Sequence, residues 1–427
     1  MRVCVVGGGV VGLACAWYLR EGGADVVVLE RDRVGEAASR GNAGWVTPGL
    51  SNPIPAPGVM GQALRWALRP DSPFLLRPRL DPAFAAWCWR FWRSCAREQY
   101  LIGMRALLAL NARTIELYDG LAAAGVEFEM HSDGLLFLFR TQHALEEEAA
   151  VLDELRREGY PGAVNALTLA QAQALDPAVG DGIAGALHAP AERHVRPETV
   201  TRGLTDALRA RGVEVREGVR VASLERDGAG GGAGGGAGGG GGAGRGWRVR
   251  CAGSDDVAAD RVVVAGGAWT GALLAPLGVR VRQEAAKGYS VTATGEGTPP
   301  RYPLYLAEAK VGCSPFAGGV RLAGTLELAG LDLTIDRRRL AAVAGAANDY
   351  LRDWRPTSPE LEWAGLRPLP ADSLPLIGRA PGQEGLYVAT GHGMLGITLA
   401  PATGAALAPL VLDDRLVPEL LPLRLDR

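Results

Sequence analysis

Three glycines near the start of the chain, Gly7, Gly9 and Gly12, stand in the spacing Gly-x-Gly-x-x-Gly around Val10 and Val11, and Glu30 follows 18 residues after the last of them. The first glycine permits a tight turn, the second lets backbone approach a pyrophosphate, and the third lets a helix lie close on a strand. A helix beginning there aims its unpaired N–H groups at the phosphates. Glu30 can accept hydrogen bonds from a ribose 2′-hydroxyl and would repel a 2′-phosphate, so the pattern favours FAD or NAD over NADP. The spacing alone is a weak signal, since any loop needing glycine can produce it.

The flanking elements strengthen it. Residues 2–6 form a short apolar run, 12–20 have helical spacing through Leu13, Ala16, Trp17 and Leu19, and 25–29 form a second apolar run, which predicts strand, turn, helix, strand. Residues 104–122 predict a helix, and 126–130 and 135–139 predict strands, so the parallel pattern gives way to α+β material there. Helix-then-buried-strand spacing returns at 199–211, 213–215 and 261–265. The expected fold class is therefore α/β, with a Rossmann-like dinucleotide domain interleaved with an α+β domain on a mostly antiparallel sheet. The expected division gives 1–85, 160–283 and 363–427 to the first and 86–159 and 284–362 to the second. Residues 228–246, all glycine and alanine except Arg245, are expected to be a flexible surface loop.

A chain of 427 residues has ample core for an enzyme, and 45 Lys and Arg against 47 Asp and Glu leave no positive field for nucleic acid. Cys4, Cys15, Cys88, Cys95, Cys251 and Cys313 form no CxxC pair and sit at no metal-ligand spacing with histidine, so neither a metal site nor a disulfide framework is expected. The same cysteines suit the cytoplasm. The N-terminus is too short for a signal peptide's apolar region, and no apolar segment of spanning length is expected. One patch is conspicuous: between Leu64 and Arg105 lie Trp66, Phe74, Phe84, Trp87, Trp89, Phe91 and Trp92, with eight arginines against three acids. It reads either as a tryptophan-rich core helix with arginines reaching outward, the favoured reading, or as a surface docking on an anionic membrane.

Further segments bring a family into view. Asn42-Ala43-Gly44-Trp45-Val46-Thr47-Pro48-Gly49, Lys287-Gly288-Tyr289-Ser290 and Thr390-Gly391-His392-Gly393-Met394-Leu395-Gly396 resemble bacterial D-amino-acid dehydrogenases, while Ala364-Gly365-Leu366-Arg367-Pro368 and the segment at 399–404 are similar to glycine oxidase. Together they resemble the D-amino-acid oxidase superfamily of flavoproteins. That resemblance implies noncovalent FAD, since the cysteine to which some relatives attach flavin would follow Cys313 and none does. It implies that Gly7, Gly9, Val10, Val11, Gly12, Glu30, Arg31, Val221, Ala265, Gly266 and Trp269 hold the ADP side. Asn42, Ala43, Gly44, Trp45, Val46 and the run Gly393, Met394, Leu395, Gly396, Ile397, Thr398 would line the flavin, with a helix from Ile397 aiming its N-terminus at the ring.

The resemblance also implies that Arg367 clamps a substrate carboxylate with its bidentate fork, with Tyr289, Lys310 and His392 as further catalytic candidates. Lys287 and Lys310 are the only lysines and suggest sites wanting a compact ammonium. For His392, packing in a glycine-flanked turn is the plainer reading. Met394 and Ala309 replace an Arg and a Tyr of relatives, which points to a more apolar pocket and to bulkier or cyclic amino acids. The implied reaction is oxidative deamination of a D-amino acid to a 2-oxo acid and ammonia, by hydride transfer from Cα to flavin N5. Three readings stay open: a dehydrogenase passing electrons to a quinone or other carrier, with peripheral contact on the inner face of the membrane; an oxidase of D-amino acids, glycine, sarcosine or D-hydroxyproline that uses O₂ and releases H₂O₂; and a noncatalytic flavoprotein subunit.

Overall fold

The computed structural model describes residues 1–67, 72–227 and 246–427; apart from Gly246, the tract expected to be a flexible loop at 228–246 lies outside the described residues. Strands Glu214–Arg216, Asp25–Leu29, Arg2–Val6, Arg261–Val264 and Leu386–Thr390 lie parallel in that order, and Leu376–Arg379 closes the edge antiparallel. These strands are near-continuous runs of valine and leucine because both faces are covered. Val3, Val5, Val26, Val28 and Val263 face helices Val10–Glu21, Pro197–Ala210 and Gly396–Asp413. Cys4, Val27, Val262 and Val264 face Trp247 and Val249 of a small sheet built from Arg220–Arg226, Trp247–Ala252 and Val257–Ala259.

Helix Gly396–Asp413 corrects one expectation. Its 18 residues, of mean hydropathy 1.3, are long and apolar enough to cross a membrane, but 67% of them are buried inside the protein. It packs on Val10–Glu21 so closely that a Cβ on Gly404 would lie 2.5 Å from the Ala14 carbonyl oxygen. It is a core helix.

The second sheet is mostly antiparallel and has Arg355–Pro370, Gln283–Glu296, Gly319–Leu328, Val311–Phe316, Leu304–Leu306, Leu135–Phe139, Gly185–Ala189 and Asn165–Leu167 in order, with Phe74–Leu76 beside Gly319–Leu328. One face, through Tyr289, Val291, Cys313 and Leu322, packs on Leu340, Val343 and Trp354. The other face turns toward the dinucleotide unit. The segments interleave more finely than the sequence division has them: Phe74–Leu76, Asn165–Leu167 and Gly185–Ala189 join this sheet. In return, Leu107, Leu110, Tyr118 and Leu121 from helices Arg97–Asn111 and Thr114–Ala123 pack into the core of the first unit. Amphipathic helices and short strands bury their apolar faces where a complementary face is offered, whatever their neighbours in sequence.

The tryptophan-rich helix Pro82–Ser94 is divided. Phe84 and Trp87 are buried against Ala286, Leu328 and Leu369, and the Trp87 indole N–H donates to the Leu369 carbonyl at 3.0 Å. Trp89 and Trp92 point outward, 53% and 58% exposed, with Arg93 over the Trp89 ring.

One side chain joins the two units. Arg321, fully buried, donates from Nη1 to the carbonyls of Arg40 and Asn42, both at 2.9 Å, and from Nε to Thr292 Oγ1 at 2.8 Å, and it pairs with Glu198 at the start of helix Pro197–Ala210. Removing one partner of such a buried pair leaves the other charge and two carbonyls unanswered. Arg321→Met is expected to destabilise the protein by about 3 kcal/mol, measured as the free energy of chemical unfolding; a change below about 0.5 kcal/mol would contradict this joining role.

Candidate active site

The glycine turn behaves as its three positions require. Gly7 has φ +113, and a Cβ there would lie 2.5 Å from the Ala265 carbonyl oxygen; a Cβ on Gly12 would lie 1.9 Å from the Gly7 oxygen. Gly9 differs, since its nearest neighbour would be Ser39 Oγ at 3.5 Å. Two glycines are thus demanded by the protein's own packing, while the third faces space left beside the start of helix Val10–Glu21. Val10 N–H donates to Ser39 Oγ at 3.1 Å, and the N–H groups of Val11 and Gly12 lie in the first turn, which has no intrahelical acceptor for them. Glu30 accepts from the N–H of Gly8 at 2.7 Å and of Asp32 at 2.9 Å, which braces the turn. The Arg31 guanidinium lies over the Trp269 ring, 4.5 Å from its centroid. Near Gly266 the buried Thr270 hydroxyl has no hydrogen-bond partner among the described residues. Val221 sits at an irregularity in the adjoining small sheet, beside Val219, whose N–H donates to the Glu30 carbonyl. Open space over a helix N-terminus, crowded glycines around it and an orphaned hydroxyl fit the pyrophosphate end of FAD.

A second group of segments converges from far apart in the chain. Asn42 Oδ1 accepts from Gly44 N–H at 2.7 Å, and Gly44 has φ +80 with no room for a Cβ against the Val195 carbonyl. Ala43 O accepts from Ser314 Oγ, which in turn accepts from the Trp45 indole. Thr398, in the first turn of helix Gly396–Asp413, donates to the Trp45 carbonyl at 2.8 Å, and Val46 is buried beneath. The turn before that helix is tied to the strand carrying the arginine, because Gly393 N–H donates to the Pro368 carbonyl at 2.9 Å. Met394 is half exposed, Leu395 N–H closes the turn onto the His392 carbonyl, and Ile397 O accepts from the Tyr118 hydroxyl. The chain thus brings residues 42–46, 393–398 and Arg367 together.

Arg367 is the chemical centre of this group. Its Nη1 donates to the Thr325 carbonyl at 2.8 Å, and it makes no ion pair among the described residues. Desolvation pulls its pKa down to about 10, so it stays a cation at neutral pH. The guanidinium rests on the bare backbone of Gly288, where a Cβ would lie 2.2 Å from Nη1. Thr325 has φ +65, a left-handed conformation that costs a β-branched residue about 1–3 kcal/mol and that clusters at functional sites. The fully buried Ser290 hydroxyl, on the same face, and the Thr325 hydroxyl have no hydrogen-bond partner among the described residues. A free fork and nearby unpaired hydroxyls suit a small carboxylate ligand.

The other catalytic candidates are not brought to that fork. Tyr289 and Lys287 alternate with Gly288 along the strand and so project from the opposite face; Tyr289 donates to Glu327 at 2.7 Å within that core. Lys310, at φ +54 in a turn, has its ammonium 5.5 Å from the centroid of Tyr305, whose ring in turn meets Trp45 edge-on. One aromatic layer separates it from the 42–46 segment. His392 is buried and its Nε2 lies 2.9 Å from Thr403 Oγ1, within the helix. Burial pushes its pKa down to about 3, which makes it a neutral packing group, as its flanking glycines suggest. Sequence reading missed Thr325 and Arg321. No motif marks a strained backbone, but a lone arginine amid the alternation of a buried strand was a usable signal for Arg321.

Comparison with known proteins gives the family. The family described as FAD dependent oxidoreductase (DAO) matches residues 2–410. The D-amino acid dehydrogenase of Phenylobacterium zucineum is 34% identical over 418 residues, covering 96% of this chain and 94% of its own. That of Xanthobacter autotrophicus is 34% identical over 425 residues, covering 96% and 95%. The crystal structure of glycine oxidase from Geobacillus kaustophilus shares the fold, with TM-score 0.74 at 23% identity and coverage of 100% and 99%.

The contrast among the glycines gives a direct test of the cradle. Gly9→Val is expected to change the stability of the apoprotein by less than about 1 kcal/mol, because φ −72 and ψ 171 suit any residue, while the purified protein loses flavin absorbance. Retained flavin would contradict the placement of the pyrophosphate over Gly9.

Proposed function

Because this chain belongs to the family of FAD-dependent oxidoreductases, we propose that it catalyses the oxidative deamination of D-amino acids, converting substrate, water and an electron acceptor into a 2-oxo acid, ammonia and reduced acceptor. The observation that carries the reading is the unpaired Arg367 fork, seated beside the segments 42–46 and 393–398 in a chain whose relatives over nearly its full length are named D-amino acid dehydrogenases.

In this reading the glycine turn, Glu30 and the Arg31–Trp269 stack hold the ADP half of the cofactor, and residues 42–46 and 393–398 line the ring. Bound FAD supplies the acceptor for the hydride leaving the substrate Cα. Arg367 takes the substrate carboxylate in charge-assisted bonds, and because one donor is already fixed on Thr325, the remaining donors present a defined edge. That fixes the Cα relative to the ring, the positional contribution a protein makes to such chemistry. His392, held neutral by burial and with Nε2 at Thr403, offers no positive charge to the substrate carboxylate. The half-exposed Met394 leaves its side of the pocket apolar, which favours bulkier or cyclic side chains over glycine, whereas Ala309 packs against the core on the other face of the sheet.

The acceptor in this reading is a quinone or another carrier, in keeping with the relatives' names, and the outward Trp89 and Trp92 with Arg93 support a peripheral contact on the inner face of a membrane. Cosedimentation with anionic vesicles tests that contact, and peroxide released in step with turnover would assign O₂ instead.

With a dye acceptor, the flavin-loaded protein is expected to oxidise D- but not L-amino acids. Arg367→Leu is expected to lower kcat/KM roughly 100-fold, mainly through KM, with flavin retained. Wild-type kinetics in that variant would contradict the assignment.

A further inference from the structure

Behind the arginine, on the face of the sheet turned away from it, lies a cluster of buried charge. Lys287 and Glu327 are both fully buried and face each other across strands Gln283–Glu296 and Gly319–Leu328. Three acceptors converge on the Lys287 ammonium: Asp332 Oδ2 at 2.8 Å, the Thr334 carbonyl at 3.0 Å and Glu327 Oε1 at 3.5 Å. Glu327 also accepts from Tyr289 at 2.7 Å and lies 2.9 Å from Arg77 and 3.6 Å from the buried Arg339. The bond to Lys287, with the N–H and hydroxyl of Thr334, holds the Asp332 carboxyl well below the usual carboxylate range. Convergence of acceptors on one point suits an ammonium rather than a planar guanidinium, which gives a physical reason for one of the chain's two lysines.

The position of this cluster is what gives it a consequence. Lys287 pairs with Glu327, and the next pair in register is Tyr289 with Gly324, so Gly288 alone opposes both Thr325 and Leu326. The irregularity is a bulge, a device that re-aims side chains and carbonyls. Both groups that seat the Arg367 guanidinium belong to it: Gly288, whose missing Cβ makes the room, and Thr325, whose carbonyl accepts from Nη1 in its left-handed conformation. The buried ion pair opposes a slip back into regular register, because such a slip would separate Lys287 from Glu327 inside the core.

We propose that Lys287, with Glu327 and Tyr289, is a positioning device for Arg367: it pins the bulge from behind the sheet and so holds the guanidinium where a substrate carboxylate meets it. This inference rests on the reading of Arg367 as the carboxylate clamp. Lys287 touches neither substrate nor cofactor, and its influence passes through the backbone of Gly288 and Thr325.

The test is a double-mutant cycle in kcat/KM on the flavin-loaded enzyme. Lys287→Met alone is expected to lower kcat/KM about tenfold or more through KM, whereas in the Arg367→Leu background the same change lowers it less than about twofold. Tyr289→Phe, which removes one hydrogen bond to Glu327 without changing charge, should give the same coupling in smaller measure and carries the test if Lys287→Met does not fold. Equal losses in both backgrounds, or a lower melting temperature with unchanged KM, would overturn the positioning role. If Arg367→Leu by itself leaves kcat/KM unchanged, the clamp reading fails first and this inference falls with it, an outcome the cycle separates from the others.

Discussion

A largely desolvated guanidinium with no carboxylate beside it among the described residues is costly to maintain, and the strands carrying Gly288 and Thr325 are shaped so that Arg367 can be kept in that state. The strand pairs it beside Gly288, where the absence of a side chain leaves a flat seat, and a strained Thr325 turns its carbonyl to satisfy one donor. A nearby aspartate or glutamate would have stabilised the cation more simply and would also have occupied the fork. The arrangement leaves the charge to be answered by something that comes and goes.

Everything else about the site is a matter of bringing distant segments to that cation. The helix Gly396–Asp413 is anchored along its length by close packing on Val10–Glu21, so its first turn is fixed relative to the glycine turn that starts the other helix. Thr398 carries that position to Trp45, and Gly393 carries it to Pro368, next to Arg367. Arg321 ties residues 40–42 to the second sheet and to helix Pro197–Ala210. Two ends of an extended cofactor and a substrate clamp are thereby held in one frame by a few hydrogen bonds, of which those of Gly393 and Arg321 reach across to the second sheet.

Much of this was readable in the sequence, and the limits have physical causes. The glycine spacing carried the dinucleotide turn because Gly7 and Gly12 answer steric demands that only glycine meets, while Gly9 leaves space beside the helix start. Arg367 was readable from its flanking residues, its seat was not. Tyr289 is a catalytic candidate by resemblance, yet the twofold alternation of a strand sends Gly288 and Tyr289 to opposite faces. Which face looks at the cofactor is decided by the packing of residues 40–45, far away in sequence. The domain division failed for the same reason at Phe74–Leu76 and Gly185–Ala189, short strands that find their partners in the other unit. Backbone strain at Thr325 leaves no trace in composition or period at all.

The central claim is that the Arg367 fork is kept free for a carboxylate, and ligand binding tests it without catalysis. An α-methyl D-amino acid has no Cα hydrogen to lose, and its primary amide differs only in the missing negative charge. Titrating each into the flavin-loaded protein and following the flavin spectrum, the acid is expected to bind about 100-fold more tightly than the amide, and Arg367→Leu is expected to abolish the difference. Equal affinity for acid and amide in the wild-type protein would contradict the account.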